Sequence, residues 1–197
     1  FKEKATLPNF FELYKKNVLI FGFGRIGKEV AKRCIGFEAN IFVFDPFIEN
    51  KVIEEHGCKP ISKIEGIKLA DYISIHLPLT KETKNFISKK EFELMKESVI
   101  LVNSARGGIV SESDLYDALT KNKIHGAGLD VFEQEPPDAN NKLFKLPNIL
   151  LSPHNAALTL ECRKRMAIEG AENIIKYLKK KNDLNLNNIV NKKEIVI

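Results

Sequence analysis

The stretch NVLIFGFGRIGKEVAKRCIGFEANIFVFD, Asn17 to Asp45, decides the fold. An apolar run from Val18 to Phe21 meets three glycines, Gly22, Gly24 and Gly27, and a helical pattern then leads to a second apolar run, Ile41 to Phe44, closed by Asp45. This reads as strand, tight turn, helix and strand. A helix N-terminus carries unpaired N–H groups and a partial positive charge, so a glycine turn at that point lets a pyrophosphate approach the backbone. Asp45 follows Gly27 by 18 positions, which puts a carboxylate at the tip of the second strand, where it can accept hydrogen bonds from both hydroxyls of an adenosine ribose. The same carboxylate occupies the place of the 2′-phosphate of NADP, and no Arg immediately follows it, so NAD is the expected cofactor. A hydrogen bond to a charged group contributes about 1.5 to 3 kcal/mol, roughly ten- to a hundredfold in affinity, enough to set that preference.

Outward from this unit the pattern repeats. Between Arg25 and Ile35 the apolar positions Ile26, Val30 and Cys34 recur every fourth residue, predicting an amphipathic helix over a sheet. Helical segments are expected near Asn50 to His56, Ser62 to Leu69, Lys89 to Met95 and Leu115 to Lys121, with Ser111 and Asp114 at capping-box spacing. Strands are expected at Cys58 to Ile61, Tyr72 to Ile75, Ser98 to Val102, Ile124 to Leu129 and Ile149 to Leu151, with a loop from Asp130 to Asn141. Strands alternating with helices imply an α/β fold, a doubly wound parallel sheet of the Rossmann type. Thr159 is a candidate cap for a long C-terminal helix whose apolar stripe runs through Ala167, Ala171, Ile174, Ile175 and Leu178. The expected division is a lead-in or hinge segment over 1–16, with Pro8 and the cluster Phe10, Phe11, Leu13 and Tyr14, then an NAD-binding domain over 17–158. A C-terminal helix and tail follow over 159–197, the tail carrying the apolar groups Ile189-Val190 and Ile195 to Ile197.

Composition narrows the class. With 197 residues, 44% of them hydrophobic, the chain can bury one sizeable core. No apolar run nears the roughly 20 residues that cross a bilayer, and nothing resembles a signal peptide, so no membrane partner is expected. Cys34, Cys58 and Cys162 are odd in number, far apart and without metal-ligand spacing, which predicts no metal site and a reducing, cytoplasmic compartment. The formal charge of +5 comes from dispersed lysines and the run Lys179 to Lys181; without aromatic interleaving it predicts no nucleic-acid partner.

Three residues at or after strand ends suit the handling of a 2-oxo or 2-hydroxy acid. Arg106 offers a planar fork of donors for a carboxylate. His154 can pass a proton at neutral pH, and Glu135 can orient its imidazole and favour the protonated form. Singly, Arg106 also reads as a surface cation, Glu135 as a loop acid and His154 as a capping histidine.

The segments GFGRIGKEVA with FDP, HLPLTKET, LVNSARGGIV, GAGLDVFEQEPP and SPHNAALT together resemble the D-isomer-specific 2-hydroxyacid dehydrogenases, most closely the phosphoglycerate dehydrogenase-like members. The resemblance implies Arg106, Glu135 and His154 as the catalytic set. It implies cofactor contacts at Gly22, Gly24, Arg25, Ile26, Gly27, Asp45, Leu77, Ser104, Ala105, Arg106, His154 and Ala156, with Asp130 near the nicotinamide carboxamide. It further implies a small 2-hydroxy or 2-oxo acid as substrate and a homodimer as the assembly. Members carry an N-terminal substrate domain of roughly a hundred residues; this chain, which opens on Phe1, is expected to lack it, so that the fragment alone turns over poorly. The alternative is an NAD-sensing interaction protein of corepressor type.

Overall fold

A computed structural model describes residues 11–179 of the chain. Residues 1–10, with Pro8 and Phe10, and 180–197, with the end of the lysine run and the apolar pairs of the tail, lie outside the described residues. Among the described residues, seven strands form one parallel sheet: β1 (Asn17–Phe21), β2 (Asn40–Phe44), β3 (Lys59–Pro60), β4 (Tyr72–Ile75), β5 (Ile100–Asn103), β6 (Gly126–Leu129) and β7 (Ile149–Leu151). Their order is β3-β2-β1-β4-β5-β6-β7, so the chain's direction of winding switches between β1 and β4, the kind of point beyond whose strand ends sheets of this class bind ligands.

Helices α1 (Arg25–Gly36), α2 (Asn50–Glu55), α3 (Lys63–Leu69), α4 (Lys89–Leu94) and α5 (Glu112–Thr120) cover the two faces. The period of two along β1 decides what each face buries. Val18 and Ile20 join Ile41, Val43, Ala31 of α1 and Ile53 of α2 in one cluster. Leu19 and Phe21 join Ile73, Ile75, Leu101 and Leu129 with Ile67, Phe92 and Leu115 of α3, α4 and α5 in the other. Both faces of β1 are therefore dry, as its unbroken apolar run requires. Cys58 lies inside the first cluster, and burial pushes its thiol up to about 11.

Several boundaries differ from the pattern reading. The face of α1 turned to the sheet carries Gly27 and Ala31, with Val30 and Cys34 half-buried, while Ile26 is 68% exposed. Small residues win that face because α1 starts directly over β1, where a larger side chain finds no room. Strand β5 begins at Ile100 and takes in Asn103, because Val99 is still bonded back to Lys96 in a turn. Helix α5 starts at Glu112, since Ser111 Oγ accepts from the Asp114 N–H and caps it three residues earlier than the apolar pattern suggests. Directly after the expected loop a 3-10 turn, Lys142–Lys145, buries Leu143.

By contacts the chain divides into two compact units, the first ending at His154 and the second starting at Asn155. In the second, α6 (Leu160–Leu178) is capped by Thr159, whose Oγ1 accepts from the Cys162 N–H at 3.2 Å. Its apolar residues Ile174, Ile175 and Leu178 are exposed.

Candidate functional site

The turn from β1 to α1 is built by backbone contact. Gly22 holds φ +90°, and Gly27 lies so close to the Gly22 carbonyl that a Cβ there would overlap its oxygen. Gly24 is the N-cap of α1; no side chain caps it, the first turn holds no acid, and nothing lies within 4 Å of where its Cβ would stand. The helix N-terminus is therefore open to an anion, with Arg25 and Ile26 exposed beside it. Leu77, just past β4, is buried with Cδ2 3.2 Å from the Cβ position of Gly22. Asp45, just past β2, is tied down at both oxygens: Oδ2 accepts from the Phe23 N–H at 2.7 Å and Oδ1 from the Phe47 N–H at 2.9 Å.

Beyond β5, β6 and β7 the structure gathers Arg106, Glu135 and His154. Glu135 Oε2 accepts from His154 Nδ1 at 2.7 Å, and its Oε1 from the Phe132 N–H at 3.0 Å. The His154 hydrogen bond first, then that of Phe132, hold the Glu135 carboxyl below the usual carboxylate range, and the charge of Arg106 acts in the same direction. With Nδ1 committed to the carboxylate, Nε2 is the ring nitrogen that this pair leaves uncommitted. His154 sits at φ +51°, a left-handed conformation that costs a residue with a Cβ about 1 to 2 kcal/mol. Its N–H donates to the Asp130 carbonyl at 2.8 Å, so backbone and ring are both anchored. Asp130 is buried, and one carboxylate oxygen accepts from Ser152 Oγ at 2.5 Å. Ser104 and Arg106 are exposed at the end of β5, with Ala105 half-buried between them.

A family model, described as the D-isomer specific 2-hydroxyacid dehydrogenase NAD binding domain, matches residues 2–156. The chain belongs to this family. It is similar to a D-3-phosphoglycerate dehydrogenase of Archaeoglobus fulgidus, 44% identical over 168 residues, which cover 85% of this chain and 32% of that protein. A hydroxypyruvate reductase of Thermotoga maritima is 40% identical over 172 residues, 85% of this chain and 54% of its own length. Among solved structures, the D-lactate dehydrogenase of Aquifex aeolicus complexed with NAD and lactic acid matches with a TM-score of 0.83 at 31% identity, covering 96% of this chain and 62% of that one. The chain thus spans from about a third to about half the length of these curated relatives.

As an NAD-binding domain of the 2-hydroxyacid dehydrogenase family, the chain has residues that fit the cofactor: an uncapped helix N-terminus, a glycine turn with no space for a Cβ at Gly27, and a fixed carboxylate at the end of β2. Of the expected contacts, Ala156 falls in the second unit. Two supporting residues lie inside the quoted motifs without a role assigned to them there: Ser152, which fixes Asp130, and Asn103, which is buried at the end of β5. The available signal was a polar residue closing an otherwise apolar strand. Among the described residues, no group of three or more His, Cys, Asp or Glu side chains could hold a metal ion, and no helix is long and apolar enough to cross a membrane.

Proposed function

We propose that the protein carrying this chain is an NAD-dependent oxidoreductase that interconverts a D-2-hydroxy acid and its 2-oxo acid. The observation that carries the reading is the 2.7 Å pair of His154 Nδ1 and Glu135 Oε2 within the field of Arg106, at the ends of neighbouring strands. NAD(H), when bound, supplies or accepts the hydride. Arg106 grips the substrate carboxylate and polarises the adjacent carbonyl. His154 delivers a proton from Nε2 to the carbonyl oxygen in reduction and takes it back in oxidation, and Glu135 holds the ring and stabilises its cationic form. Gly22, Gly24, Arg25, Ile26 and Gly27 cradle the pyrophosphate; Asp45 and Leu77 serve the adenosine side. Ser104, Ala105 and Asp130 serve the nicotinamide side.

In this reading residues 17–158 are the cofactor domain, 1–16 lead into it, and 159–197 return toward a substrate domain that supplies the other wall of the cleft. Exposed Ile174, Ile175 and Leu178 on α6 support a homodimer, and three free thiols support a cytoplasmic setting. The relatives named above are dehydrogenases and a reductase, which favours turnover over a corepressor-type role. The test is NADH oxidation by the full-length protein against hydroxypyruvate, glyoxylate, phosphohydroxypyruvate and branched 2-oxo acids. Turnover of at least one is expected; NADH binding without oxidation of any would overturn the assignment.

Two substitutions probe the parts separately. Because Glu135 ionises below the usual carboxylate range, its ionised hold on the His154 ring is present above that lowered value and is lost only as pH falls through it. Glu135→Gln removes the charge at every pH, so the loss of rate that the wild type shows as pH falls through the lowered Glu135 value should be absent from the variant, whose rate is reduced throughout. Rates measured across pH decide this, and an unchanged profile refutes the role. Asp45→Ala is expected to weaken NADH binding roughly ten- to a hundredfold and to level the preference over NADPH. Fluorescence titration with both cofactors measures it.

A further inference from the structure

The turn that presents Arg106 is held by one buried amide. Asn103 is 2% exposed; its Oδ1 accepts from the Ala105 N–H at 3.0 Å, and its Nδ2 donates to the Arg106 carbonyl at 2.9 Å. The Ala105 carbonyl in turn accepts from Arg106 Nη1 at 2.6 Å. One side chain therefore bonds the peptides on either side of the Ala105–Arg106 peptide, and the carbonyl of that middle peptide seats the guanidinium. The Asn103 carbonyl also accepts from the Asp130 N–H at 3.0 Å, tying the turn to the end of β6.

A second contact joins the same turn to the loop carrying Glu135. A Cβ at Gly107 would overlap the Phe132 carbonyl, and the N–H of that same Phe132 bonds Glu135. Arg106 and Glu135 thus stand on one continuous block of bonded backbone, with Asn103 at its root. Burying an amide is unfavourable unless its polar atoms are bonded, and here each bond is spent on the Arg106 turn.

We propose that Asn103 is a positioning residue that sets the angle at which Arg106 meets the substrate carboxylate. The proposal rests on the reading of Arg106 as the carboxylate clamp. A two-pronged guanidinium–carboxylate pair depends on angle as well as distance, and a misplacement of about 1 Å is enough to cost on the order of 10²-fold in rate.

The experiment compares Asn103→Ala and Asn103→Asp in the full-length protein. The Asp variant keeps the acceptor for the Ala105 N–H and loses the donor to the Arg106 carbonyl, so it stands in if the Ala variant does not fold. Each is expected to raise KM for the 2-oxo acid by about tenfold or more, with a smaller loss of NADH affinity because Ala105 shares the turn. In an Arg106→Ala background the same substitutions should add nothing further to KM, because the group through which Asn103 acts is gone. An equal rise in both backgrounds, or none in either, overturns the proposal. The order of the Arg106 Nε–H group, read by NMR relaxation, gives an answer independent of turnover. It should fall in both variants, and unchanged order overturns the proposal even if the wild type reduces no 2-oxo acid, an outcome that would by itself refute only the functional assignment.

Discussion

His154→Ala in the full-length protein is expected to lower turnover by about 10²- to 10⁴-fold, the range typical of a positioned general acid, while leaving NADH affinity nearly intact. The geometry separates the two quantities. The ring is committed through Nδ1 to Glu135, while the glycine turn is held by its own backbone contacts, so loss of the ring removes a proton donor and leaves that turn's contacts in place. Alanine at this position also carries the strain of φ +51° without the imidazole's bond to offset it. His154→Asn is the sharper variant. Asparagine tolerates the left-handed region and can still donate to Glu135, yet transfers no proton. Equal loss of turnover in both variants, with stability retained in the second, identifies proton transfer as the missing step. A parallel fall in turnover and NADH affinity would count against it.

Gly27→Ala should damage both binding and stability. Its added methyl meets the Gly22 carbonyl, a backbone atom in a turn that is itself pinned by the Gly22 N–H to the Phe44 carbonyl at 3.0 Å. Nothing there yields as a flexible side chain does, so the helix start and the turn must part. Overpacking of this kind costs about 1 to 3 kcal/mol, and a loss of that size at the pyrophosphate site weakens NADH roughly five- to a hundredfold. Gly24→Ala is the contrast: the space around its Cβ position is empty, so thermal stability should hold while the methyl intrudes on the anion site. Thermal denaturation and NADH titration of the two variants make the comparison. Equal melting temperatures would refute the steric account.

Much of this was legible in the chain because it rests on periodicity. The runs Val18 to Phe21, Tyr72 to Ile75 and Ile149 to Leu151 are strands in the structure, and their parallel pairing follows from the helices between them. Arg106, Glu135 and His154 were found through chemistry and motif, and they do come together. What periodicity concealed was contact. The four-residue period puts Ile26 on the sheet-facing stripe of α1, yet the close approach of α1 to β1 reserves the inner face for Gly27 and Ala31 and leaves Ile26 exposed, as its expected place beside the cofactor requires. Asn103 resembled the first residue of a polar loop, since an amide's two bonds to backbone ahead of it leave no trace in spacing or composition. The second hydrogen bond of Asp45, to the Phe47 N–H, is hidden for the same reason.

That last bond bears on redesign. A protein engineer who wished to make this domain accept a phosphorylated cofactor would begin by exchanging Asp45 for a small or basic residue. The exchange would also release two amides, those of Phe23 and Phe47, and slacken the glycine turn at the moment a bulkier guest is offered. Retargeting is consequently a problem of grafting a whole loop, one whose new side chains restrain both amides and receive the added phosphate together.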